Sequence, residues 1–288
     1  MTLSELEKEA GLNGEEKLIF RQYAANRFQG AQRLGEPDIS FLQPWYRVVE
    51  YADTFGADQA INKMICPKRP VDFNLEKGPE IRIYDSFAGP IPIICVYDTA
   101  DFEQLVTNVA YQGVRPAHLS ETGASFLSGK TTRFIILSAK PYSNVPAAEL
   151  GLPDEARWAE QSLLLRRGHE CTHYFTKQTF GISNNILHDE IMADFIGMYE
   201  TFGFYRAEWF LRFMGIVEGS GGRLSFYTEN LPERVRRAVS RLAELSARSL
   251  EQWSQTDGFR AMTIAERIEE MCRAGLEMYV VKGDSNIT

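Results

Sequence analysis

A chain of 288 residues, 44% hydrophobic and 24% charged, is long enough for two average domains or one large α+β enzyme domain, and its composition excludes disordered, collagen-like and coiled-coil classes. A net charge of -8 and a pI near 5.2 put the mean surface field on the wrong sign for a phosphate backbone, which argues against nucleic acid as a partner.

The first residues carry Glu5, Glu7, Lys8 and Glu9 where a secretory signal needs a basic flank and an apolar run, so a cytoplasmic protein is expected. Apolar positions at three- and four-residue intervals, Leu18, Ile19, Tyr23 and Phe28 and then Trp45, Val48, Val49 and Ala52, predict helices through the first sixty-odd residues. Cys66-Pro67, Arg69-Pro70 and Gly78-Pro79 mark a loop-rich seam, which separates an N-terminal helical region, 1–65, from a second domain, 66–288. From about 80 to 140 the chain turns to short β-branched and aromatic runs, Ile81 to Tyr84, Ile91 to Tyr97 and Arg133 to Ser138, which predict a sheet. A helix capped by Asp101 is expected over Phe102 to Ala110, and a turn over Gly123 to Lys130. None of these runs reaches the roughly 18 apolar residues of a membrane span, so no membrane is expected as a partner.

After Pro153 helices are predicted at Asp154 to Lys177, Ile186 to Phe202, Ala207 to Val217, Pro232 to Leu250 and Ile264 to Met278, with the run Gly219-Ser220-Gly221-Gly222 between two of them. The cysteines, Cys66, Cys95, Cys171 and Cys272, form no CxxC pair, which suggests a reduced protein with neither a disulfide framework nor a thiolate zinc site.

The first of these later helices contains His169-Glu170-Cys171-Thr172-His173. At 3.6 residues per turn, residues four apart lie one above the other, so both imidazoles reach one metal ion without straining the backbone. Zinc suits such a pair, binding neutral imidazole at roughly 2.0–2.1 Å and leaving a position to water in catalytic sites. Glu170, beside the first ligand, is placed to take a proton from that water.

A third ligand is expected from the next helix, where His188, Glu190 and Asp194 compete. Glu190 and Asp194 are four apart and share a face, whereas His188 lies about 200° around from Glu190. Glu190 is the expected ligand, and Asp194 is expected to accept the remaining ring N–H of a ligating histidine, His169, and so hold its tautomer.

The two halves together, His-Glu-x-x-His and then Glu-x-x-x-Asp, resemble the signature of the gluzincin type of zincin metallopeptidase, and Glu190 to Gly197 resembles the third-ligand helix of thermolysin-like enzymes, over about residues 165–200. The resemblance implies Zn²⁺ held by His169, His173 and Glu190, with Glu170 as general base and then proton shuttle and Asp194 as partner of the first histidine. It implies an α+β fold with a zincin-like core: a small mixed sheet packed on the active-site helix, a mostly helical C-terminal part, and an edge strand lining a cleft for an extended peptide. Arg133 to Ser138, the nearest preceding strand, is the candidate for that edge, where unpaired backbone groups would take the substrate by strand addition, and an internal strand is the equal alternative.

Two features depart from that pattern. Seventeen positions separate His173 from Glu190, a tighter interval than in thermolysin, and no histidine follows His188 to stabilise an oxyanion. Tyr199, Tyr205, Tyr227 and Arg223 lie in the right portion of the chain for that role, but spacing selects none. Arg234, Arg236, Arg237, Arg241 and Arg248 read as the solvated face of a helix opened by an Asn230–Glu233 capping box, Cys171 as a packed thiol and His118 as a surface histidine. The expected activity is zinc-dependent hydrolysis of a peptide bond. Hydrolysis of another amide by the same zinc site, or an inactive zinc-binding scaffold, are the alternatives.

Overall fold

The computed structural model describes residues 1–129, 133–184, 186–217 and 222–282. In chain order the elements are α1 (Leu3–Glu9), α2 (Gly14–Ala24), α3 (Gln43–Phe55), α4 (Ala57–Ala60), β1 (Glu80–Ser86), β2 (Gly89–Val96), α5 (Thr99–Ala110), β3 (Ala124–Ser128), β4 (Arg133–Ser138), α6 (Glu155–Phe180), α7 (Leu187–Phe202), α8 (Ala207–Met214), α9 (Leu224–Thr228), α10 (Glu233–Ser254), α11 (Asp257–Ala261) and α12 (Ile264–Lys282). This is an α+β chain, mostly helical with one small mixed sheet. No described helix is long and apolar enough to cross a membrane. Lys130 of the expected turn, Asn185 of the connection between the motif helices and residues 219–221 of the glycine-rich run lie outside the described residues.

The helices expected after Pro153 form within a few residues of their expected bounds, but several details differ. Asp98 caps α5, accepting from the N–H groups of Ala100 and Asp101. Asp101 is instead buried inside the helix and accepts from the Asn74 N–H. The helix of the arginine run has Pro232 at its N-cap and no side-chain cap, so the expected box is absent there. Capping boxes close α1, through Thr2 and Glu5, and α2, through Asn13 and Glu16.

The sheet order is β1-β2-β4-β3, with β1 antiparallel to β2, β2 parallel to β4 and β3 antiparallel to β4. Arg133–Ser138 is therefore an interior strand, the second of the two placements left open by the sequence. Phe134 to Leu137 are apolar without alternation and fully buried, the pattern of a strand covered on both faces. The outer place is taken by Ala124–Ser128, which lies in the stretch expected to be a turn.

The chain divides into two compact units, Glu36–Cys171 and a second made of Met1–Gly35 with the residues from Thr172 onward. Residues 1–65 are thus split between the units rather than forming a region of their own. In the Glu36–Cys171 unit, one sheet face, with Ile94, Val96, Phe134 and Ile136, packs on Trp45, Val48, Phe102, Leu105 and Val106 of α3 and α5. In the other unit α10 buries the stripe Val235, Ala238, Val239, Leu242, Ala243, Ser246, Ala247 and Leu250, the spacing of one apolar helix face. Phe195, Tyr205, Trp253 and Phe259 stack beside it.

Candidate metal centre

Helix α6 starts where the Asp154 carboxylate accepts the N–H groups of Ala156 and Arg157, and ends at Gly181, whose φ of +71° makes the left-handed closure that glycine allows. Trp158, Ser162, Arg166 and His169 recur at four-, four- and three-residue steps, so they line one face of the helix. All four bond the segment that follows β4. Trp158 Nε1 donates to the Val145 carbonyl at 2.8 Å, and the Tyr142 N–H donates to Ser162 Oγ at 2.9 Å. The buried Arg166 guanidinium donates to the carbonyls of Ser138 and Pro141, each at 2.8 Å, and of Lys140. Gly123 makes room for it, since a Cβ there would lie 2.2 Å from Arg166 Nε. The result fixes Tyr142, whose hydroxyl is 2.9 Å from His169 Nδ1.

His169, His173 and Glu190 each bring one ligand atom within 4.8 Å of the others, and all three side chains are buried. His173 Nε2 and Glu190 Oε1 are 3.5 Å apart. Four ligands at about 2.0–2.1 Å in a tetrahedron are about 3.3–3.4 Å from one another, so this pair already spans one edge of such a polyhedron. With Nδ1 of His169 engaged by Tyr142, Nε2 is the nitrogen left to bind a metal, and the Nδ1–H tautomer that this requires donates to the tyrosine oxygen. Charge points the same way. Helix α7 buries three carboxylates within six residues, Asp189 at 1%, Glu190 at 4% and Asp194 at 0% exposure. Burial pushes the Asp189 carboxyl above its usual range, and its one bonded oxygen accepts from the Asn184 N–H at 2.7 Å. Two imidazoles and a carboxylate, brought together in the protein interior, fit a divalent cation.

Arg223 is the cation that the sequence left among four candidates. Its guanidinium pairs with the Asp194 carboxylate and lies 3.6 Å from Glu190 Oε2, with its side chain only 16% exposed. Gly222 puts it there: a Cβ at that residue would lie 2.2 Å from the Gly215 backbone nitrogen, so the chain passes directly against the end of α8, and the Arg223 N–H donates to the Phe213 carbonyl at 3.3 Å. One turn along α9, the Tyr227 hydroxyl is within hydrogen-bonding reach of Glu190, and burial together with that carboxylate raises its pKa. The Tyr142 hydroxyl thus stands at Nδ1 of His169, and Asp194 pairs with Arg223. The physical reason is reach. A buried carboxylate pairs with the nearest cation, and the segment after β4 delivers a hydroxyl to the imidazole.

Glu170 is partly exposed between buried neighbours. Cys171 is fully buried and in no disulfide among the described residues, and His118 is an exposed histidine 3.4 Å from Glu121. His188 is no part of the triad. Its Nε2 lies 3.1 Å from the Met271 carbonyl, its ring sits edge-on to Phe28 and Tyr279, and burial lowers its pKa to about 4. Tyr199 packs on Phe195, Phe259 and the Arg267 guanidinium. Tyr205 is a buried core residue near Phe195, its pKa raised well above the usual value by burial. Neither joins Arg223 and Tyr227 beside Glu190. In the arginine run, Arg241 and Arg248 pair with Glu244, and Arg234 lies 3.9 Å from Glu16, as on a solvated, ion-paired face.

No curated protein and no solved structure matches the chain. A family model does match, over residues 131–280, more than half of the 288, and that span contains every residue of the centre, from Tyr142 through the two histidines and Glu190 to Arg223 and Tyr227. The chain therefore belongs to that family, described as a family of unknown function (DUF7005).

Proposed function

We propose that this protein is a zinc-dependent peptide-bond hydrolase built on a zincin-like core. The observation that carries the reading is the buried convergence of His169, His173 and Glu190 beside the partly exposed Glu170. Two imidazoles and one carboxylate are the ligand set of catalytic zinc sites that keep a position open, whereas structural sites are closed by a fourth protein ligand, commonly cysteine. The one cysteine within the motif, Cys171, is buried but belongs to no metal-holding group among the described residues. When bound, zinc supplies a Lewis acid that polarises a carbonyl and lowers the pKa of water toward 7.

His169 and His173 hold the ion from one helix, and Tyr142 keeps the His169 ring in the tautomer that presents Nε2. Glu190 completes the set from α7. Glu170 takes the proton from the attacking water and returns it to the leaving amine, the general-base and general-acid work that a carboxylate one residue from a ligand can do. Arg223 and Tyr227 bring a cation and a hydroxyl to the Glu190 side, the two groups best situated to meet charge developing on the scissile carbonyl oxygen.

The test combines metal content with turnover. Elemental analysis should find about one zinc per chain in the wild type and in Glu170→Gln, and a large loss in Glu190→Ala. A mixed peptide pool should be cut by the wild type, and at least roughly 10³-fold more slowly by Glu170→Gln. A wild type that takes up no zinc on reconstitution would sink the reading, as would full activity in Glu170→Gln.

A further inference from the structure

A cavity of about 290 Å³ lies within the Glu36–Cys171 unit between the sheet and α6. Its floor is one face of the hairpin, Arg82 and Tyr84 from β1 and Ile93 and Cys95 from β2, the alternate residues of each strand. Its wall is α6, with Leu163 and Arg167. Around a helix, Leu163 and Arg167 lie within about 60° of Glu170, while the two metal-binding histidines lie on the far side of Glu170 from them. Arg167 is about 4.5 Å along the axis from Glu170, less than one turn. The cavity therefore adjoins the flank of α6 on which the general base stands.

Two cations, Arg82 and Arg167, and one exposed carboxylate, Glu160, line the cavity. Arg82 is paired with Glu80, and Arg166, next in sequence, is satisfied by main-chain carbonyls. Arg167 differs. Its guanidinium lies 4.3 Å above the Tyr84 ring, and no carboxylate of the described residues forms an ion pair with it. Stacking fixes the plane of a guanidinium and leaves its N–H edges free, the geometry that receives a carboxylate through two parallel hydrogen bonds. The apolar floor and wall, Ile93 and Leu163, would strengthen that contact by excluding water.

We propose that this cavity is a substrate subsite in which Arg167 binds a carboxylate of the peptide, from an acidic side chain or from the free C-terminus. The proposal rests on the hydrolytic reading of the metal site and names the substrates it favours: peptides with a carboxylate one or two residues from the bond that is cut. Strand β1 is at the sheet edge, and an extended peptide paired along it would point alternate side chains to the cavity face.

The experiment uses zinc-loaded full-length protein and decapeptides in which one position carries Glu, Gln or Lys, each made with a free and with an amidated C-terminus. Cleavage is read with the wild type, and binding by calorimetry with Glu170→Gln. The expected result is a roughly 10- to 100-fold preference for the carboxylate-bearing peptide over its neutral counterpart. That ratio should fall to about one in Arg167→Gln, survive in part in Arg167→Lys and turn toward Lys peptides in Arg167→Glu, with zinc content unchanged in all three. A preference that survives amidation assigns the site to a side chain, and one abolished by amidation assigns it to the C-terminus. Equal handling of charged and neutral peptides by the wild type would overturn the proposal, as would a preference that Arg167→Gln leaves intact. The two readings fail separately. Binding selectivity that depends on Arg167 without any cleavage keeps the subsite and removes the hydrolase, and cleavage without selectivity does the reverse.

Discussion

The hydroxyl of Tyr142, 2.9 Å from His169 Nδ1, stands where many metal sites place a carboxylate, and a neutral partner polarises the imidazole less. Tyr142→Phe should keep the fold, because the Tyr142 N–H to Ser162 bond is made by the main chain, and weaken zinc binding by about 10-fold in a chelator competition. Arg223 is the opposite case, a charge that cannot be deleted alone. With Asp194 fully buried and Glu190 nearly so, Arg223→Met takes from both carboxylates the guanidinium that lies beside them. The expected cost is about 3–5 kcal/mol in urea unfolding, most of it recovered in Arg223→Met/Asp194→Leu. A zinc-loaded sample should lose less, because the ion itself compensates Glu190. These two residues also mark the reach of sequence reasoning. The four-residue spacing of His169 and His173 is local geometry, readable from one helix. Tyr142 is 27 residues away in a segment without a motif, and only the fold reveals what its hydroxyl touches.

Among elements, α6 and the segment after β4 behave as one piece, since the face holding Trp158, Ser162, Arg166 and His169 is bonded along its length. The periodicity of those four residues was legible, but the partner was not, because Ser162 and Arg166 looked like ordinary polar helix residues until carbonyls appeared opposite them. The helix α9 escaped sequence reading for a related reason. Five residues, Leu224–Thr228, are too few for a periodic pattern, and they follow a glycine-rich run that reads as a loop. Gly222 is where this element is set against α8, with no space for a side chain between it and the Met214–Gly215 backbone. Gly222→Ala should push the start of α9 away from α8 and carry Arg223 with it. Zinc affinity and thermal stability should then change together, whereas Arg223→Lys should alter metal affinity with a smaller effect on melting. An alanine variant with unaltered zinc binding would show that Arg223 reaches the centre without this close approach.

For the molecule as a whole, two buried thiols, Cys66 and Cys95, give a pH dependence with a definite sign. Burial pushes Cys66 and Cys95 up to about 11 from the ordinary 9.0, so the folded state holds their protons more tightly than the unfolded chain. Their contribution to stability is complete below pH 9.0 and is lost as the pH rises through about 11. Urea midpoints at about pH 8.5 and about pH 10.5 should differ more in the wild type than in Cys66→Ala/Cys95→Ala. A double variant with the same alkaline loss would place its origin in other groups. Absence of a CxxC pair argues against a disulfide framework, and none of the four cysteines forms a disulfide among the described residues. By itself the sequence determined the helical C-terminal half, the strands at β1, β2 and β4, and the motif residues His169, Glu170 and His173, because caps, periodicity and i,i+4 spacing act over a few residues. It also pointed to Glu190, since Glu190 and Asp194 share a helix face and His188 lies about 200° around from Glu190. Only the tertiary structure decided that Arg133–Ser138 lies inside the sheet, that Asp194 pairs with Arg223, that Tyr142 holds His169 and that Arg167 faces a cavity. Each of those depends on which distant backbone or side chain arrives opposite a residue, and pairing across tens of residues is settled by packing and charge rather than by local pattern.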